Sequence, residues 1–112
     1  MWQRLINLFR SRPPVTRNPA RQQQVDTATQ GLALYHFNAC PYCVRVRKAI
    51  KRLRLQIELR DAHHPTFQQE LCLEGGLYQT PCLRIESEDH NTLWLYESSE
   101  IIRYLEQRFT GV

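Results

Sequence analysis

The sequence predicts an α/β domain, β-α-β-α-β-β-α, built on a four-stranded mixed sheet. Three observations carry this expectation. The apolar run LALYHF (32–37) is followed by an amphipathic stretch and then by a second strand-like run, LQIELR (55–60). Strand, helix and strand within about thirty residues form a βαβ unit, whose two strands are parallel. Two further runs, CLRIES (82–87) and TLWLYE (92–97), flank the polar turn EDHN and predict an antiparallel hairpin. Ile101, Ile102, Leu105 and Phe109 then recur at helical spacing, which predicts a closing helix from about Ser98 to Phe109.

Taken in order, the first nine residues place Trp2, Leu5, Ile6 and Phe9 at helical spacing beside Arg4 and Arg10. That pattern suits either a small interfacial anchor meeting anionic headgroups or an unstructured leader. Residues 11–30, rich in Pro, Gln, Arg and Thr, read as a linker. The expected division is a basic, flexible leader over 1–30 and one folded domain over 31–112. The run at 32–37 has strand length and is apolar throughout, as a strand buried on both faces is. From Pro41 to Arg54 the period changes: Cys43, Val46, Ile50 and Leu53 make one stripe, with Arg45, Lys48, Arg52 and Arg54 off it. Pro41 suits the first turn of that helix. Pro65 can start a second helix and Gly75–Gly76 can end it.

The chain has 112 residues, four cysteines and a formal net charge of +4. One domain of this size buries roughly two-thirds of its unfolded surface and needs no disulfide framework. The charge is uneven. Residues 1–30 hold five arginines against Asp26 alone, and residues 31–112 are balanced. A nucleic-acid-binding domain carries its basic surface on the fold itself, so no nucleic-acid partner is expected. No stretch has the length of a transmembrane helix, and the start is too short and too interrupted for a secretory signal. A cytoplasmic location follows as the expectation, with peripheral membrane contact by residues 1–12 the open alternative. In a reducing compartment cysteines stay thiols unless they bind metal or react.

The chemistry centres on HFNACPYCVR (36–45). A C-x-x-C directly after the first strand of a βαβ unit reads as a thioredoxin-like redox motif. Cys40 falls at the amino end of the helix, where unpaired N–H groups and the helix dipole favour a thiolate; nearby Arg45 is expected to add to this. Cys43 lies one turn on, on the apolar stripe, and so is the more buried thiol. Cys40 is then the attacking sulfur and Cys43 the resolving one. A zinc site needs two further ligands at suitable spacing. Cys72 and Cys82 form no second C-x-x-C, so no metal is expected.

Three motifs in order resemble a known family. CPYC after a strand resembles the active site of dithiol glutaredoxins, with their thioredoxin-like fold. QTPCL (79–83) resembles the loop carrying the cis-proline of that fold. LYESSEIIRYL (95–105) resembles the glutathione-binding segment of the amino-terminal domain of glutathione transferases. The resemblance implies catalytic Cys40 and Cys43 and a glutathione groove formed by Tyr42, Thr80, Pro81, Glu97 and Ser98. Thr80 would offer its backbone to the cysteinyl part, and Glu97 and Ser98 would hold the γ-glutamyl end. Ser98 at a helix start suits a carboxylate. Two departures stand out: Phe37 occupies the position of the usual lysine before the first cysteine, and Tyr78 and Gln79 replace a basic residue before the cis-proline. Both basic groups would meet the glycine carboxylate. The all-helical second domain of transferases is not seen in the sequence.

The resemblance implies a monomeric glutathione-dependent thiol–disulfide oxidoreductase, with glutathione as reductant and with disulfide-containing or glutathionylated proteins as partners. A glutathione-binding or membrane-tethered adaptor with little turnover, and an iron–sulfur carrier using Cys40 and glutathione, are the competing readings. Cys72 and Cys82 are expected to be buried, inert thiols. His63 and His64 are expected to be solvent-exposed and to point apart. Trp94 is expected in the core.

Overall fold

The computed structural model describes residues 13–110. The amphipathic start and the membrane contact considered for residues 1–12 lie outside them. Strands β1 (Leu32–His36), β2 (Glu58–Asp61), β3 (Cys82–Glu86) and β4 (Thr92–Tyr96) form one sheet in the order β2-β1-β3-β4. β1 and β2 are parallel, while β1–β3 and β3–β4 are antiparallel. The mixed four-stranded sheet is the expected one. β2 begins later than the sequence suggests. Leu55 and Ile57 are buried in the lead-in, but a turn with Arg54 at φ 55° separates them from the helix before, and pairing starts only at Glu58.

Side chains alternate across a pleated sheet, and the two faces pack differently. Leu32, Leu34 and Leu83 meet Val46 and Ile50 of α2 (Pro41–Arg52), Leu53 that caps it, and Ile101, Leu105 and Phe109 of α4 (Ser98–Phe109). Tyr35 and Cys82 face the other way, against Leu71, Phe67 and Trp94. There Arg60 donates to the Tyr35 hydroxyl at 2.6 Å and to Glu70 at 3.1 Å, and the Tyr35 hydroxyl donates to Glu70 at 2.6 Å. A buried phenol needs such a partner. The bonds tie β1 and β2 to α3 (Pro65–Glu70). The expected second helix thus starts at Pro65, but it widens at Leu71–Gly75 into a π-helical turn ended by Gly76 at φ 88°.

The reading of 11–30 as a linker does not describe residues 13–30. Pro19–Ala28 is a helix, α1. The Asn18 side chain caps it by accepting from the Arg21 N–H at 2.7 Å, and Pro19 opens it. Ala, Arg and Gln are good helix formers, but the helix has no apolar stripe: Val25 is its one buried residue. Polar contacts dock it instead. The Arg17 guanidinium donates to the carbonyl of Leu53 at 2.7 Å and to that of Phe109 at 2.9 Å, so it caps the ends of α2 and α4 together. Gly31 follows where a Cβ would come within 2.5 Å of the Glu86 carbonyl oxygen.

Candidate functional site

Register brings three loops to one end of the sheet. Tyr35 near the end of β1 pairs with Cys82 at the start of β3, and Cys82 pairs with Tyr96 at the end of β4. The Cys40 loop after β1, the Thr80–Pro81 segment before β3 and Glu97–Ser98 after β4 therefore share that end. They span two strand spacings, roughly 10 Å, about the reach of an extended tripeptide.

Cys40 is the N-cap residue of α2, with Pro41 at the first helical position. It is partly exposed, while Cys43 is fully buried. All four cysteines are free thiols. Burial opposes charge on Cys40, but the Cys43 N–H, the Cys43 thiol, the Tyr42 N–H and the Thr80 hydroxyl together outweigh it and hold the thiol below its ordinary range. Burial pushes the Cys43 thiol up, and the neighbouring Cys40 sulfur pushes it further, against pulls from Thr80 and from the Phe37 N–H. The pair is thus asymmetric in exposure and in acidity. Arg45 does not supply the effect expected of it. It turns toward α4, lining a cavity with Ser99, Ile102 and Arg103, while hydrogen bonds do the lowering.

The peptide bond Thr80–Pro81 is cis. The hydroxyl of Thr80 reaches both thiols, a contact that sequence reading missed because it assigned this residue through its backbone alone. Tyr42 is 59% exposed beside Cys40. Ser98, the first residue of α4, is buried, and Glu97 before it is exposed in a left-handed conformation, φ 75°. Where the lysine and the basic loop residue are missing, an aromatic cluster stands. Phe37 stacks on His63 at 4.0 Å and meets Tyr78 edge-on at 5.9 Å. The Tyr78 hydroxyl is spent on the Ala62 carbonyl at 3.0 Å.

The other singled-out residues divide. His63 and His64 are both exposed and serve different partners: His63 pairs with Asp61 at 3.1 Å, and the His64 ring accepts from the Thr66 N–H at 3.3 Å, capping α3. Cys82 is fully buried, its thiol pushed up to about 12 by burial. Cys72 is partly exposed rather than buried, because the π-helical turn carries it to the rim. Trp94 is half-buried, packed on Tyr35 at 5.4 Å with the Arg84 guanidinium over its ring. Among the described residues, no three His, Cys, Asp or Glu side chains converge on a metal position, and no helix is long and apolar enough to cross a membrane.

Comparison with known proteins places this geometry. A structure of maleylacetoacetate isomerase from Anaeromyxobacter dehalogenans 2CP-1, with GSH bound in its active site, is similar over 71% of this chain at 26% identity and a TM-score of 0.55. Another structure of that enzyme, with dicarboxyethyl glutathione and citrate in the active site, matches over 71% at 27% identity and a TM-score of 0.54. This chain covers only 38% and 37% of those chains. Wheat glutaredoxin shares the thioredoxin-like fold at 15% identity and a TM-score of 0.50, over 80% of this chain and 87% of its own. No curated protein matches the chain. Residues 34–112, well over half of the sequence, match the model of the glutathione S-transferase N-terminal domain, and the chain belongs to that family.

Proposed function

We propose that the protein is a glutathione-dependent thiol–disulfide oxidoreductase working through Cys40 and Cys43. The observation that carries this reading is the asymmetry of the pair: an accessible, acidified Cys40 above a buried Cys43 of raised pKa. With a glutathione mixed disulfide, the Cys40 thiolate attacks the glutathione sulfur. The Cys40–glutathione disulfide forms, and the partner protein leaves as thiolate and takes up a proton. A second glutathione thiolate then attacks that disulfide, releasing oxidised glutathione and restoring Cys40. With an intramolecular protein disulfide, Cys43 resolves the mixed disulfide, and two glutathiones reduce the resulting Cys40–Cys43 bond. Glutathione lies across the three loops, its γ-glutamyl end at Glu97 and Ser98. The glutathione held by the similar isomerase structure supports this ligand.

Turnover of a glutathionylated peptide with glutathione as reductant tests the reading. Wild type should turn over, Cys40→Ser should lose activity, and Cys43→Ser should keep a substantial part, because a mixed disulfide needs one attacking thiol. Turnover retained in Cys40→Ser would reverse the roles. Glutathione binding without wild-type turnover would favour a binding module.

A further inference from the structure

Arg47 sits on α2 one helical turn beyond Cys43, and the sequence pattern gave no reason to single it out. Its guanidinium spans the end of β1 and the loop that follows. One nitrogen lies 3.0 Å from His36 Nδ1 and donates to the Phe37 carbonyl at 3.2 Å, and the other donates to the Asn38 carbonyl at 2.8 Å. Guanidinium only donates, so His36 Nδ1 must accept and the ring is neutral there. His36 is 5% exposed. Burial first, and the Arg47 charge second, keep its pKa below the usual imidazole value, against the pull of Asp61.

The backbone of Phe37 links this fork to the chemistry. Its carbonyl accepts from Arg47 and, at 3.3 Å, from the Cys40 N–H. Its N–H, in the preceding peptide, pulls the Cys43 thiol down against burial. Phe37 thus bears on both cysteines through the two peptide groups that flank it, and Arg47 fixes the carbonyl side from the helix. We propose that Arg47 is a positioning residue: by clamping His36, Phe37 and Asn38 it holds the β1–α2 loop in the shape that exposes Cys40 to its activating N–H donors. The idea rests on the role given above to Cys40. Its three acceptors lie on consecutive residues, a fit for a planar, multidentate fork that a single ammonium point charge does not reproduce.

The test reads the pH dependence of Cys40 alkylation by iodoacetamide, followed by mass, which needs no glutathione turnover. It therefore stands or falls separately from the oxidoreductase reading. In Arg47→Met, alkylation at pH 6 should slow about fivefold or more, because less of Cys40 is thiolate. The kcat for a glutathionylated peptide should fall with little change in the glutathione KM. Arg47→Lys should recover only part of both. Arg52→Met, on the same helix as Arg47, breaks the 3.3 Å ion pair with Glu106 of α4 and serves as a control for mere destabilisation: its melting temperature should drop, and its alkylation profile should match wild type. Should Arg47→Met fail to fold, Arg47→Lys alone decides. An alkylation profile like wild type in whichever Arg47 variants fold, or an equal change in Arg52→Met, would overturn the proposal.

Discussion

Four donors surround the Cys40 sulfur: the N–H groups of Tyr42 and Cys43, the Cys43 thiol and the Thr80 hydroxyl. Three of them come from the C-P-Y-C segment itself, so the motif brings much of its own activation. The fourth comes from the cis-proline loop. In Thr80→Val the shape stays and the hydroxyl goes, so the thiolate midpoint of Cys40, read by ultraviolet absorbance, should move upward. The sign follows from the reacting form. The thiolate attacks, and its pKa is lowered, so activity is lost as pH falls through that pKa and is level above it. A raised midpoint leaves less thiolate at neutral pH, and turnover at pH 7 should drop about threefold to tenfold, in line with one charge-assisted hydrogen bond weakened by solvent. An unmoved midpoint would mean that the backbone donors suffice.

At the scale of elements, each helix start is set by short-range chemistry. α2 and α3 both begin at a proline, and α4 begins at Ser98 after Glu97 turns the chain at φ 75°. A non-glycine residue held there is strained, and such strain gathers at functional turns. The first N–H groups of α4 are free to receive an anion. In the proposed reading that anion is the γ-glutamyl carboxylate. Ser98→Ala should then raise the glutathione KM by about tenfold to a hundredfold, the worth of one hydrogen bond to a charged group, and should leave the Cys40 midpoint in place. Steady-state kinetics in both Ser98→Ala and Glu97→Gln check this; wild-type KM in both would remove the glutamyl end from α4.

Over the whole molecule, Arg17 does the work that an apolar stripe would do in an ordinary docked helix. It joins the α1 segment to the last carbonyls of α2 and α4 at once, and the Val15 N–H adds a bond to the Arg52 carbonyl at 3.0 Å. Arg17→Ala should lower the urea unfolding free energy by about 1–3 kcal/mol, the range for hydrogen bonds to a charged donor after discounting its partial exposure. Stability equal to wild type would show that the Arg17 side chain adds nothing to the fold.

Periodicity and caps are local, and what depends on them was legible in the residues. The buried strand at 32–36, the helix from Pro41, the hairpin about EDHN and the closing helix over 98–109 all stand where the patterns put them, because each element buries one stripe or face that its own sequence spells out. The exposure difference between Cys40 and Cys43 was legible for the same reason. Contacts between distant segments were not. The Thr80 hydroxyl meets the thiols only because β3 pairs beside β1. Arg47 and Arg45 lie two positions apart on one helix, about 200° around it, and only packing decided which would reach the loop and which would face α4. α1 escaped notice because its docking is polar: a lone valine and a guanidinium leave no period to read, and their partners become partners only once the helix ends have been brought together.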